Sequence, residues 1–322
     1  MCALAKVGII GAGAVGSACL LSLVLRGAAR EVVLVNRNRK RAEGVVTDTQ
    51  YGAILSPTVE VRDGDYSDLA EAALVIITAG VNEKAGGATD RGDSSGRLRL
   101  LQANAVVYQE MVSRIHRAAP AALVLVVTDP PDPLADVVRL LGHERVVSTG
   151  TYLDSLRFRF HLARRLKVKP ADVEALVLGE HGISSVFLWS LARVGGRPVL
   201  ELLAESREQR ENMRLQIERE VRYANITIIE GIGASQYGIG MVCAHIAEMV
   251  LRDERAVIPI GSYHAKYGVT LSLPSVVGAE GVVQVLEPEM SESEQQGIER
   301  SAEVLRKALK HLNLDGSTRQ VA

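Results

Sequence analysis

Residues 6–16 read KVGIIGAGAVG: a short apolar run, three glycines spaced as GxGxxG, and the opening of a helical pattern that continues to residue 27. The apolar run predicts a buried strand, and small residues line one side of the helix that follows. Gly11 permits a tight turn, Gly13 lets backbone approach a pyrophosphate, and Gly16 allows the helix to pack against the strand. Ala14 and Val15 fall in the first helical turn, where backbone N–H donors and the positive end of the helix dipole await an anion.

The chain outside this unit repeats its rhythm. EVVLV at 31–35 is the next strand, and apolar runs at 58–62, 73–79, 122–128 and 145–148 alternate with helical segments. The alternation predicts βαβ units and an α/β fold of Rossmann type, doubly wound around a mostly parallel sheet. A dinucleotide-binding domain over residues 1–149 is expected, followed by a mixed α+β domain over 150–322. The second part reads as a helix at 154–166, a short strand at 173–179, and a helical tract from about 205 to 252 interrupted near Gly231 and Gly233. A hairpin-like region at 254–287 and a last helix at about 291–313 follow.

Composition narrows the function classes. The 322 residues are 47% hydrophobic, enough for a large core, and Lys+Arg 37 against Asp+Glu 38 leaves a formal net charge of -1. Such a balance provides no global field for a nucleic acid or a membrane surface. Cys2, Cys19 and Cys243 form no CxxC pair, which points to a reducing compartment, the cytoplasm, and to neither a disulfide framework nor a metal site. Gly11, Gly13, Gly16 and Arg26 break the N-terminal apolar stretches below the roughly 20 residues that span a bilayer.

Dinucleotide-binding units that prefer NAD carry an acidic residue at the end of the second strand, where it reads the ribose. Here the position holds Asn36, which can bond a hydroxyl but does not repel a 2′-phosphate, and Arg37 and Arg39 stand close by. NAD and NADP both stay open.

Of seven histidines, His181 has the most suggestive surroundings. It sits in Gly179-Glu180-His181-Gly182, directly after the apolar run 173–178. Upstream, in GTYLDSLRFR, Asp154 and Arg157 lie three apart and therefore share one face of a helix. An aspartate bonded to an imidazole orients the ring and favours its protonated form. An arginine fork beside it can hold a carboxylate through two parallel hydrogen bonds. Together they equip a site to protonate a carbonyl next to a carboxylate.

GAGAVG, GTYLDSLRFR and GEHGISSVFLW together resemble the L-lactate/malate dehydrogenase family of L-2-hydroxy-acid dehydrogenases. The resemblance implies interconversion of a 2-oxo acid and an L-2-hydroxy acid, by a homodimer or homotetramer. It assigns His181 as proton donor and acceptor, Asp154 as its partner, Arg157 as the carboxylate anchor, and Ser235 as a hydroxyl near the substrate. It places Thr78, Ala79, Gly80, Asn104 and Thr128 with the glycine loop at the cofactor. It also explains the polar stretch AGVNEKAGGATDRGDSSGRLRL at 79–100: the family has a mobile lid here, about 81–97, that brings in an arginine to polarise the carbonyl. Arg97 is expected in that role, with Arg91 the other candidate.

Three positions depart from the family pattern. Glu83 stands where glutamine is expected for lactate or arginine for malate, which disfavours a dicarboxylate. Asp129 replaces a family asparagine, and Ile183 replaces a polar residue after GEHG. From these the substrate is expected to be a 2-oxo acid with a bulky or amine-bearing side chain, one whose cationic or strong hydrogen-bond donor group has Glu83 or Asp129 as its partner, the alternative being a broad range of aliphatic oxo acids. Glu174 stands where sugar-phosphate-regulated members have histidine and leaves Arg159 opposite a carboxylate, so no such activation is expected. Two rival readings are a dinucleotide-binding regulator without turnover and an NAD-dependent glycosidase relative.

Overall fold

The computed structural model describes residues 5–81, 98–204 and 206–312. The first half runs β1 (Lys6–Ile10), α1 (Ala14–Arg26), β2 (Glu31–Val35), α2 (Arg39–Ala53), β3 (Glu60–Gly64), β4 (Ala72–Ile77), α3 (Leu100–Ala118), β5 (Leu123–Val126), α4 (Pro131–Leu140) and β6 (Val146–Ser148). The second runs α5 (Tyr152–Leu166), β7 (Val173–Glu174), β8 (Val177–Leu178), β9 (Val186–Phe187), β10 (Arg193–Val194), β11 (Arg197–Pro198), α6 (Val199–Leu203), α7 (Arg207–Arg222), α8 (Ala224–Ile232), α9 (Tyr237–Leu251), β12 (Ala256–His264), β13 (Val269–Gly278), β14 (Gly281–Val285) and α10 (Glu292–Lys310).

The central sheet has the order β14-β13-β12-β6-β5-β4-β1-β2-β3. Strands β1 to β6 are parallel, and their order reverses between β1 and β4. β2 is buried at every position, which is why its residues 32–35 read as an unbroken apolar run after Glu31. Helices α1 and α9 cover one face together with Cys19, Leu20, Cys243 and Ile246, and α3 and α4 cover the other with Tyr108, Ile115 and Leu134. A Cβ on Gly240 of α9 would meet the Ala18 backbone at 2.8 Å, so the α1–α9 approach depends on glycine.

Several element boundaries differ from expectation. The strand expected at 58–62 lies at 60–64 and ends where Asp65 and Asp68 form a capping box around a short 3₁₀ turn. The expected strand at 173–179 is two short strands in different sheets, because Val173 pairs with Val194 while Val177 pairs with Phe187. The helical tract breaks at Tyr223 as well as at Gly233, whose φ of 87° closes α8. The hairpin-like region is a three-stranded antiparallel extension of the central sheet itself, joined through the Gly261–Ser148 pair. The sheet therefore continues past residue 150. No helix among the described residues is long and apolar enough to cross a membrane.

Candidate active site

The reversal point between β1 and β4 opens a crevice at the carboxyl ends of the strands, the place where such sheets bind ligands. Gly11, leaving β1, has φ 111°, and a Cβ there would press on Thr78 Oγ1 and the Ala79 nitrogen at 2.8 Å. A Cβ on Gly16 would overlap the Gly11 carbonyl oxygen. Gly13 is different in kind: a Cβ there would meet nothing within 4 Å. Gly13 caps α1 without a side-chain hydrogen bond, and the first turn carries no acidic residue. The helix end thus presents bare N–H groups and an uncompensated positive dipole to an open cradle, which suits a pyrophosphate.

The opposite wall comes from the ends of β4 and β5. Thr78 Oγ1 donates to the carbonyls of Ile10 and Gly11, and Thr128 Oγ1 donates to the Ala79 carbonyl at 2.8 Å. Gly13, Ala14, Val15, Thr78, Gly80, Thr128, Asp129 and Ser235 line one trough. Asn104 is fully buried beneath it: Oδ1 accepts from the Val81 N–H and Nδ2 donates to the Asp129 carbonyl, both at 2.7 Å. Its place is that of a strut between two loops.

At the end of β2, Asn36 Oδ1 accepts the Ala12 N–H at 3.0 Å and Nδ2 donates to the Asn38 carbonyl. Arg39 pairs with Asp63 at 3.1 Å, and Arg37 is exposed. Arg41, which the sequence reading did not single out, donates from Nε to the Ala12 carbonyl at 2.6 Å and braces the glycine loop.

A second cleft shares Val15, Val127, Asp129 and Ser235 with the first and adds Arg157, His181 and Asn225. His181 enters it from the turn after β8. Gly179, at φ 82°, exchanges two backbone hydrogen bonds with Ser272, and the His181 N–H donates to Asp132 Oδ2 at 2.7 Å. The start of α5 is fastened to the same strand: Thr151 Oγ1 and Ser155 Oγ both donate to the Val177 carbonyl, and Ser155 Oγ accepts the Val177 N–H. These bonds set the spacing between α5 and the turn. Asp154 Oδ2 comes to 2.5 Å from His181 Nδ1, and its Oδ1 accepts from Arg157 Nη1 at 3.1 Å. On the other edge of the ring, Asp129 Oδ1 lies 3.8 Å from Nε2.

Asp132 is 1% exposed and also accepts the Ser148 hydroxyl at 2.5 Å; burial pushes its carboxyl up to about 7, against these hydrogen bonds. Asp132, Ser155 and Ser272 carried no sequence signal, since each acts on residues distant along the chain, and Asn225 carried none because its place in the cleft depends on the fold. Ile183 is 39% exposed and is not among the described residues that line either cleft. Glu83, Arg91 and Arg97, and with them the expected lid apart from Val81, lie outside the described residues.

The switch-point crevice meets a cleft that holds histidine and arginine, through the shared residues Val15, Val127, Asp129 and Ser235. Residues 5–146 match the model of the lactate/malate dehydrogenase NAD binding domain, and residues 151–313 that of the family's alpha/beta C-terminal domain. The chain belongs to the lactate/malate dehydrogenase family.

It is 43% identical over 311 residues to the L-lactate dehydrogenase of Deinococcus radiodurans, covering 96% of this chain and 100% of that protein. With the L-lactate dehydrogenase of Thermus aquaticus it shares 44% over 312 residues, covering 94% and 98%. Among solved structures, the minor L-lactate dehydrogenase of Enterococcus mundtii, in a ligand-bound form, superposes with a TM-score of 0.87 at 32% identity, over 97% of this chain and all of that one. The chain is a lactate-dehydrogenase-like oxidoreductase acting between 2-oxo acids and L-2-hydroxy acids, with the family's NAD-binding domain.

Proposed function

We propose that the protein reduces a 2-oxo monocarboxylic acid to the L-2-hydroxy acid with NADH, and runs the reverse oxidation. Residues 1–149 serve as the dinucleotide-binding part and 150–322 as the catalytic part. The observation that carries the reading is one carboxylate, Asp154, bonded both to His181 and to Arg157 in a cleft continuous with the glycine loop.

NADH, when bound, would supply the hydride for reduction, and NAD+ would accept it in the reverse direction. The Gly13 cradle and the α1 N-terminus would hold the pyrophosphate. His181 gives the Nε2 proton to the forming alkoxide and takes it back in the reverse direction. Asp154 fixes the ring through Nδ1 and stabilises the imidazolium. Arg157 anchors the substrate carboxylate, Ser235 faces the substrate, and Arg97 is assigned to the reacting carbonyl. NAD is preferred over NADP in this reading: Arg39 and Arg41 are occupied by Asp63 and the Ala12 carbonyl, and the Asn36 amide is held by backbone at both ends.

Asp129 disfavours a dicarboxylate, whose second acid would meet it in the cleft. The same carboxylate favours a second reading, an amine-bearing oxo acid, with Glu83 as further partner. Outward-facing Leu21 and Leu25 on α1 and Tyr237 and Met241 on α9 are exposed apolar side chains on neighbouring helices and support a homodimer or homotetramer.

Initial rates of NADH and NADPH oxidation against monocarboxylic, dicarboxylic and amine-bearing 2-oxo acids test the reading. Turnover of monocarboxylic acids with NADH at least roughly tenfold above NADPH is expected. Cofactor binding with no oxo-acid turnover would return the protein to the class of non-catalytic regulators.

A further inference from the structure

Asn225 is the least explained polar group in the cleft. It lies in the first turn of α8, just past the break at Tyr223 that separates this helix from α7. It is 4% exposed, it lines the cleft with Arg157 and His181, and among the described residues neither Oδ1 nor Nδ2 has a hydrogen-bond partner. A buried amide with both ends unmet costs free energy that a folded protein rarely leaves uncompensated. An apolar residue of similar shape would fill the position at no such cost. The amide is therefore placed for something that enters the cleft.

We propose that Asn225 is a specificity-determining residue that hydrogen-bonds the side chain of the 2-oxo acid, and that the preferred substrates carry a hydroxyl or carboxamide on the carbon next to the carbonyl. The inference rests on the proposed oxo-acid reduction.

The chemistry of the amide selects this class. A carboxylate only accepts hydrogen bonds, so the substrate's acid group would satisfy Nδ2 and set its own oxygens against Oδ1. Arg157, whose Nη1 also serves Asp154, still has donors for that group. An ammonium only donates and would leave Nδ2 unmet. A methyl or ethyl group would satisfy neither atom. A hydroxyl or carboxamide both donates and accepts, and so meets Oδ1 and Nδ2 together. Sites built around such pairs discriminate strongly against analogues that lack the polar group, because the protein's own buried atoms are then stranded.

The test compares two oxo acids of nearly equal size, 3-hydroxy-2-oxopropanoate and 2-oxobutanoate, as kcat/KM with NADH. The unaltered protein is expected to favour the hydroxylated acid by roughly tenfold or more. Asn225→Leu, close in shape, is expected to lower that preference at least tenfold, mainly by improving the ethyl substrate. Asn225→Ala gives the same direction if the leucine variant folds poorly. A preference that stays within twofold of the unaltered protein in a folded variant overturns the inference. If neither acid is turned over, the proposed reaction fails, and calorimetric binding of the two acids to the protein with NADH decides the inference separately. Tighter binding of the hydroxylated acid, lost in Asn225→Leu, upholds it; equal binding refutes it.

Discussion

His181 Nδ1 stands 2.5 Å from Asp154 Oδ2, and the other oxygen of that carboxylate holds Arg157. One side chain thus orients both the proton donor and the carboxylate anchor. Asp154→Asn removes the charge that stabilises the imidazolium and loosens the guanidinium. The expected result is a fall in kcat of roughly 10²-fold or more together with a raised oxo-acid KM. Steady-state kinetics check this; a change confined to KM would detach Asp154 from the proton transfer.

Asp129 should govern the pH range of reduction. Among the described residues, the groups at the His181 ring include Asp154, with Arg157 beside it on α5, and Asp129 from the turn after β5, with Asp132 of α4 at its backbone. A carboxylate 3.8 Å from Nε2 favours the protonated ring, and at that distance it acts through charge more than through a hydrogen bond. In Asp129→Asn the imidazolium yields its proton at lower pH. Reduction should then decline from a lower pH, and oxidation of the hydroxy acid should rise from a lower pH. Matched kcat/KM profiles in both directions measure this, and coincident profiles for the two proteins would remove Asp129 from the titration.

Asp132 makes a prediction about stability. Burial raises its carboxyl to about 7 in the folded chain, above the roughly 4 of an unfolded one. A group raised in this way contributes stability that is fully present below about pH 4 and is lost as the pH climbs through about 7. Asp132→Asn keeps an acceptor for the His181 N–H and cannot ionise. Its Tm relative to the unaltered protein should therefore improve by roughly 2–5 °C between pH 4.5 and 7.5. A difference that is constant or shrinks over that range contradicts the assignment.

The glycine loop separates binding from folding. Because a Cβ on Gly13 meets nothing within 4 Å, Gly13→Ala should fold with its Tm nearly unchanged and bind NADH roughly tenfold or more weakly. A Cβ on Gly16 collides with backbone, so Gly16→Ala should cost about 1–3 kcal/mol of stability. Thermal melts and fluorescence titration with NADH distinguish the two. Normal cofactor affinity in Gly13→Ala would move the pyrophosphate away from this turn.

What the sequence disclosed was local. The glycine loop announces itself because its three constraints fall within six residues, and Asp154 with Arg157 because a helix brings positions three apart onto one face. His181 was legible from the strand end that carries it. The bonds that hold these pieces in place were not, since Ser155 fastens Val177, Ser272 fastens Thr151, and Asp132 fastens His181 across long stretches of chain. Neither the extension of the central sheet by β12 to β14 nor the unmet amide of Asn225 follows from periodicity, because both depend on which surfaces the fold brings together. Asn104, expected at the cofactor by resemblance, is buried between the two loops that carry Val81 and Asp129, a placement that periodicity does not disclose.

The most direct test of the central claim is single-turnover reduction of a monocarboxylic 2-oxo acid by NADH, followed at 340 nm in the unaltered protein and in His181→Gln. If His181 supplies the proton, the rate should fall by roughly 10²–10⁴-fold while NADH still binds. A rate within a factor of two of the unaltered protein would mean that the proton comes from elsewhere and that this cleft is not the reacting centre.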